Sequence, residues 1–289
     1  MAGNNRTDRP GQPSPGSTAG LTAVNSRTFI KRLAVAADYV AHPPSGVVVL
    51  IYHRVGGGSA SEVDLDPGAF DAQLSHLAEH HRVLSLDDAI DALAIGSPID
   101  GVVLTVDDGT ADFADVVVPA LSRHNLPATL YAATRFIDEG IEFPWGAPPI
   151  SWSALRDCVA TGLITVGSHT HSHWLMDRLD ASVIDGDLDR SIDLIGEHVG
   201  HSPAHFAYPK ALPGSAEAEI AVRQRFRSAA LAASRVNRPG HTDLHRLWRT
   251  PVQRSDTPEF FAAKARGGLR FEGELRSLAG RVKYRGMSK

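Results

Sequence analysis

The sequence predicts an α/β fold of parallel strands joined by helical crossovers and closed into a βα-type barrel, with a doubly wound open sheet as the competing arrangement. Two observations predict it. Apolar, β-rich runs such as "VVVLIY" (47–52) and "GVVLTV" (101–106) alternate with helical patterns from residue 47 onward. Alternation of that kind implies parallel strands linked by crossovers. Several of these runs also end in polar groups: "YHR" at 52–54, "DDG" at 107–109, "SHTHSH" at 168–173 and "YPK" at 208–210. Both architectures place functional groups at the carboxyl ends of their strands.

Taken in order, "VVVLIY" is a buried-type strand. "DPGAFDAQLSHLAEH" is a helix opened by Asp66-Pro67, with Phe70, Leu74 and Leu77 at helical spacing. "RVLSL" (82–86) is a short strand, and "DDAIDALAIG" a helix closed by Gly96. "GVVLTV" is the clearest strand. "DFADVVVPALSRHN" reads as a helix despite Pro119, "ATLYAA" as the next strand, and "GIEFPWGAPPI" (140–150) as an inserted loop. "SWSALRDCVATG" is a helix with a Ser cap, and "LITVG" (163–167) a strand running straight into the histidines. A long helix follows, with Val183, Leu188, Ile192, Ile195 and Val199 along one face. "AHFAYP", a helix over 215–225, strands at "FRSAAL" and "RTPV", and a helix over 256–265 complete the pattern.

Composition excludes several classes. The 289 residues are 43% hydrophobic and 21% charged, with a formal net charge of −4. This is ordinary globular composition without the basic field of a nucleic-acid binder. The single cysteine, Cys158, rules out an internal disulfide and a cysteine-based metal site. Residues 1–30 are polar and rich in Gly, Pro and Ser, and read as a disordered lead without signal-peptide character. "LAVAADYVA" is too short to span a bilayer and contains Asp38, so a cytoplasmic location is expected. The domain proper is expected over 31–265, followed by a basic tail at 266–289. From Lys264 to Lys289 there are eight Lys or Arg against two Glu. Such a run is either a solvated tail or an attachment to an anionic membrane face.

Asp107-Asp108-Gly109 can be a turn, since Asp-Gly is a common turn pair. It can also be chemistry: neighbouring residues of an extended segment point apart, so one carboxylate can hold a metal while the other stays free as a base. Three histidines within five residues, 169, 171 and 173, favour the second reading. His169 and His173 are four apart, which brings both imidazoles to one side of a helical turn. Two histidines and one carboxylate leave coordination positions open, as catalytic metal sites do. Of Trp145, Trp152, Trp174 and Trp248, Trp174 beside His173 is the strongest candidate for a sugar-stacking platform.

The order "LIYHRV", "VVLTVDDGTADFADVVVPALSRHNLPATLYA", "SWSALRDCVATGLITVGSHTHSH" and "HFAYPKALPG" resembles the polysaccharide deacetylases with a NodB homology domain, carbohydrate esterase family 4, in their YHRV/FAYP-type subgroup. The resemblance covers residues 46–265. It implies a deformed (β/α) barrel and metal-dependent removal of an acetyl group from an amino-sugar glycan, with no nucleic acid as partner. By motif position, Asp107 matches the general base, and Asp108, His169 and His173 match the ligands of a divalent cation. Zinc suits these ligands, as do cobalt and nickel. His171 falls on a variable position. Tyr208 and Pro209 match the motif whose backbone N–H helps hold the oxyanion.

The match has gaps. Ala207 stands where an arginine often orients the base, and Arg249 in "LWRTPV" is the replacement, its alternative being a surface arginine. No histidine follows His245, so the family's acid histidine is missing; His53 is the best substitute, ahead of His205 and His245. Lys210 stands where a tyrosine is often found. Two other readings stay open: a sugar deformylase or other C–N hydrolase on the same fold, and a non-catalytic carbohydrate-binding relative.

Overall fold

The computed structural model describes residues 44–269. The expected lead at 1–30, and the expected tail beyond residue 269, lie outside the described residues.

Strand β1 (Val47–Tyr52) is buried along its whole length, as an apolar strand covered on both faces must be. A small pair not foreseen from sequence follows, β2 (Arg54–Val55) with β3 (Asp64–Leu65). Helix α1 (Pro67–His80) starts where predicted: Asp66 caps it, accepting from the Ala69 N–H at 3.0 Å, and Phe70, Leu74 and Leu77 are its buried face. Strand β4 (Val83–Leu84) is shorter than expected because Ser85 leaves the strand to cap α2 (Leu86–Ile95), which Gly96 closes at φ 72°.

After β5 (Gly101–Asp108), the predicted single helix over 112–125 is split. Residues 113–117 form a wide π turn in which the Val118 N–H donates to the Phe113 carbonyl, and α3 (Val118–His124) follows. The cause is Pro119, which carries no N–H and whose ring would strike the carbonyl four residues back in a regular helix.

Next come β6 (Ala128–Ala132) and an unforeseen short helix α4 (Thr134–Glu139). The loop 140–150 is pinned by bridges between Phe143 and Ala147 and between Thr110 and Pro149. Then come α5 (Trp152–Ala160), capped by Ser151, and β7 (Ile164–Ser168). In α6 (Ala181–Val199) the buried face is Ile184, Leu188, Ser191, Leu194 and Ile195, while Val183, Ile192 and Val199 are half-buried. The predicted stripe is thus rotated. Ser191 sits inside because its hydroxyl donates to the Leu188 carbonyl (2.8 Å) and lies 2.7 Å from Ser168 Oγ at the end of β7. Strand β8 (His205–Ala207), α7 (Ala216–Arg225), β9 (Ser228–Ala232), β10 (Leu247–Pro251) and α8 (Pro258–Ala265) complete the described chain.

The strands run parallel in the order β1, β10, β9, β8, β7, β6, β5, and β5 pairs back onto β1. That last pairing closes a seven-stranded (β/α) barrel and removes the open-sheet alternative. The barrel is deformed where β4 and β6 share one edge of β5, β4 beside Val102 and Val103, β6 beside Thr105 to Asp108. Inside, Val47, Val49, Val103, Tyr131, Ala230 and Leu247 form one core with the apolar face of α2. Outside, Val48, Leu50 and Tyr52 pack under α1 with Phe70, Leu74 and Leu77.

The interior leaves no room at Gly167 of β7. A Cβ there would lie 2.6 Å from Tyr131 Cδ1 and 2.8 Å from the His205 carbonyl oxygen. Gly167→Ala is therefore expected to cost about 1–3 kcal/mol in urea denaturation. An unchanged midpoint would contradict this packing.

Candidate active site

The period of two along a strand builds the floor of the site. It puts Val103, Thr105 and Asp107 of β5 on the inner face, and Leu247, Arg249 and Pro251 of β10 likewise. Arg249 reaches past β1, the one strand between β10 and β5, to Asp107, with Nη1 2.6 Å from Oδ1 and Nη2 2.9 Å from Oδ2. Its Nη1 also donates to Thr105 Oγ1 (3.2 Å), its Nε to the Leu231 carbonyl (3.4 Å), and its guanidinium carbon lies 5.1 Å from the centre of the Tyr131 ring. Thr105 in turn donates to the Leu50 carbonyl at 2.7 Å. Both ions are out of water: Arg249 is 0% exposed and Asp107 2%. The surface-arginine alternative is thus set aside. Burial pushes the Asp107 carboxyl up, but the Arg249 charge, with His169, the Arg249 hydrogen bonds and His53, holds it below the ordinary carboxylate value.

His53, directly after β1, places Nε2 4.0 Å from Asp107 Oδ2, and its Nδ1 is buried without a hydrogen-bond partner. At the end of β5, Asp108 adopts φ 77° and Gly109 φ 96°, which turns the chain under the barrel mouth. Asp108 Oδ1 lies 3.3 Å from His173 Nε2 and 3.7 Å from His169 Nε2.

The histidine segment is not a helical turn. Thr170 (φ 66°) and His173 (φ 60°) are left-handed, and the Thr170 hydroxyl accepts from the His173 N–H at 2.8 Å. Asp187 of α6 accepts from the N–H groups of His171 (3.1 Å) and Ser172 (2.9 Å). These bonds, and not helical spacing, bring His169 and His173 together. His171 turns away, its Nδ1 3.0 Å from Thr134 Oγ1.

The Ala207 carbonyl can only accept, so His169 Nδ1, 2.7 Å away, carries the proton, and the Nε2 lone pair faces Asp108. Burial, against the nearby carboxylates, pushes His169 down to about 4, so its imidazole is neutral at ordinary pH. Burial raises the Asp108 carboxyl, but the hydrogen bond and charge of His173 hold it well below the usual range.

One ligand atom from each of Asp108, His169 and His173 lies within 4.8 Å of the others. Among the described residues this is the one cluster of that kind. Imidazole nitrogens and a carboxylate oxygen converging on one point fit a divalent cation. The cluster opens into a cavity of about 790 Å³, lined also by His53, Asp107, Trp145, Lys210 and Trp248.

Three expected contributors stand elsewhere. The Tyr208 N–H donates to the Ala230 carbonyl at 3.1 Å, and Pro209 has no N–H, so neither is a donor for an oxyanion. Both side chains are buried in packing, the Tyr208 ring edge-on to Phe206 at 5.0 Å. The first main-chain N–H beyond them belongs to Lys210, left-handed at φ 56° and lining the cavity. Trp174 does not line the cavity, whereas Trp145 and Trp248 do. Of the weaker acid candidates, His205 is held at the amino end of β8 between Ser228 Oγ (2.8 Å) and Asp87 (3.0 Å). His245 donates to the Phe226 carbonyl at 2.8 Å. Thr105 and Tyr131 escaped the sequence reading, although the period of two from Asp107 and the register of β6 would have found them.

A closed (β/α) barrel with a buried Asp–Arg pair beside an Asp–His–His cluster at its strand ends defines the class. Residues 96–227 match the family model described as polysaccharide deacetylase. Among solved structures it is similar to IcaB from Ammonifex degensii, at 25% identity and TM-score 0.69, covering 78% of this chain and 98% of that one. It is also similar to the Streptococcus pyogenes deacetylase PplD in complex with acetate, at 21% identity and TM-score 0.68, with 77% and 99% covered. The de-N-acetylase from Aggregatibacter actinomycetemcomitans follows at 20% identity and TM-score 0.65, with 75% and 99% covered. Comparison with curated proteins finds no match. No helix among the described residues is long and apolar enough to cross a membrane.

Proposed function

We propose that this chain is a metal-dependent hydrolase that removes N-acetyl groups from an amino-sugar polysaccharide or glycan precursor. One observation carries the reading: a carboxylate with no place in the Asp108–His169–His173 cluster, Asp107, is locked by Arg249 beside that cluster at the mouth of one cavity. The deacetylases of similar fold support it.

Asp108, His169 and His173 would hold the cation, zinc by donor chemistry, with cobalt and nickel suited to the same set. Bound there, a divalent ion supplies Lewis acidity, polarising an acyl oxygen and lowering the pKa of water to about 7. Asp107 takes the proton of the water whose oxygen attacks the acyl carbon. Arg249, on both carboxylate oxygens, fixes the direction of that base and keeps it anionic. His53 hands a proton to the leaving nitrogen as the C–N bond breaks, giving acetate and a free amine. The Lys210 main-chain N–H would donate to the developing oxyanion. Trp145 and Trp248 offer apolar faces to the sugar.

Acetate release from chitin oligomers is expected to stop with chelator and return with zinc. Asp107→Asn is expected to lower kcat by about 10²–10⁴-fold while the protein still binds metal. Release from N-formyl sugars alone would make the chain a deformylase. Glycan binding without release from any substrate, with metal present, would make it a non-catalytic carbohydrate-binding protein.

A further inference from the structure

Resting on that reading, we propose that Lys210 and Trp145 form a subsite for an anionic group, and that the preferred substrate carries a carboxylate or phosphate on the sugar beside its acetamido group. The charges lining the cavity point to it. Asp107 is held by Arg249 and Asp108 by the two histidines. Asp64 accepts from the N–H groups of Gly57 (2.9 Å) and Ser59 (2.8 Å) and lies 4.0 Å from Arg54. Arg54 also faces Asp112 at 3.9 Å, and Arg246 is paired with Glu219 at 2.6 Å.

Lys210 is different. Among the described residues its ammonium has no carboxylate partner, and its one contact is the ring of Trp145, 5.2 Å from Nζ to the centroid. A left-handed backbone directly after Pro209 sets where the side chain leaves the main chain.

Trp145 is 42% exposed, and its ring is packed against neighbouring rings. It stacks on Phe143 at 5.1 Å, Phe143 stacks on Phe136 at 4.3 Å, and Phe136 meets His173 edge-on at 6.3 Å. That row of rings ties the 140–150 loop to a residue of the candidate metal cluster. Trp145, Lys210 and the reacting groups line one cavity, so a sugar whose acetamido group reaches Asp107 can present its substituents to an ammonium with no carboxylate partner among the described residues. An anionic substituent supplies the counter-ion and loses little on leaving water, because a charge-assisted hydrogen bond replaces its hydration. Lys210 is exposed in the free protein, so a neutral sugar laid over it takes away water and gives no partner in return.

The test compares acetate release from chitotetraose, from the same oligomer oxidised to carboxylate at C6, and from the same oligomer phosphorylated at C6, by the intact chain and by Lys210→Gln and Lys210→Glu. Gln and Glu meet the same left-handed backbone as Lys, so the fold is held constant. The acidic-over-neutral ratio of kcat/KM is expected to be about tenfold. It should fall toward unity in Lys210→Gln, reverse in Lys210→Glu, and shrink with added salt. The arm that shows the preference identifies the anion. Equal efficiency on all three oligomers, or a preference that both variants keep, overturns the subsite and leaves the deacetylase reading standing. Calorimetry on chelator-treated, dialysed protein reads the subsite without turnover. Tighter binding of an acidic oligomer that depends on Lys210, with no acetate released by metal-loaded protein, keeps the subsite and removes the deacetylase reading. Equal binding of all three overturns the subsite whatever the activity.

Discussion

Arg249→Met is expected to lower the stability of the chain by about 3–5 kcal/mol at neutral pH, because it leaves the buried Asp107 carboxylate without its partner. Methionine fills much of the volume, so the loss is electrostatic and not a cavity effect. Thr105 Oγ1 and the Leu231 carbonyl lose donors as well. The dependence on pH separates this cause from general damage. In the parent, the folded Asp107 carboxyl lies below its unfolded value of about 3.9. Its contribution is therefore full above that value and is lost only as pH falls through the lower folded value. Without Arg249, burial is left opposed only by the weaker pull of the histidines and raises the folded carboxyl above its unfolded value. The penalty is then greatest at neutral pH and shrinks on acidification, as the buried group takes up a proton. Urea midpoints of parent and variant should converge as pH falls from neutral toward about 5. The acid limb of kcat/KM should move upward in the variant. Asp107→Asn combined with Arg249→Met should recover part of the stability, since both charges are gone. Parallel pH curves would show that Asp107 is not an uncompensated ion in the variant.

The architecture was legible because it is written in local pattern. Apolar runs mark the seven barrel strands, and the Asp66 and Ser151 caps mark helix starts. Asp107, Asp108, His169 and His173 stood out for a related reason: polar groups directly after an apolar strand have few structural duties there. What was not legible depends on partners far along the chain. Arg249 and Asp107 are 142 residues apart, and nothing near Arg249 tells a buried ion pair from a surface side chain. The α6 stripe was rotated because Ser191, polar by type, is bonded to Ser168 inside the fold. Trp174 follows His173 in sequence, yet the left-handed His173 backbone aims the histidine inward while Trp174 ends exposed. The Tyr208 N–H fails as an oxyanion donor because the Ala230 carbonyl of β9 already takes it, and a motif does not show which N–H groups the strands use. In the sequence Lys210 is only a departure from pattern; its place over Trp145 comes from a loop 65 residues earlier (210 against 145).

Asp108→Asn is expected to abolish metal-dependent stabilisation while leaving the metal-free protein almost unchanged. Asn matches Asp in size and tolerates the left-handed backbone that Asp108 adopts at φ 77°, so the substitution isolates the charge. In the metal-free chain that charge faces the neutral His169 imidazole and the His173 ring, both of which an amide can meet by hydrogen bonding. Around a cation the loss is different in kind, since the one anionic ligand of the cluster becomes neutral. Metal affinity should fall by more than about 100-fold, beyond the effect of removing a group that only supports a ligand. For the parent, free zinc at a hundredfold excess over its Kd should add about 2.7 kcal/mol and raise Tm accordingly. Asp108→Asn should show little of that rise and little acetate release. His171→Gln, two residues from each candidate ligand, should keep the rise, because its ring faces Thr134 and not the cluster. Differential scanning calorimetry with and without zinc reads all three proteins. A zinc-dependent rise that survives in Asp108→Asn, or one lost in His171→Gln, would place the cation elsewhere. Asp107 would then have no Lewis acid beside it, and the hydrolase reading would lose its physical basis.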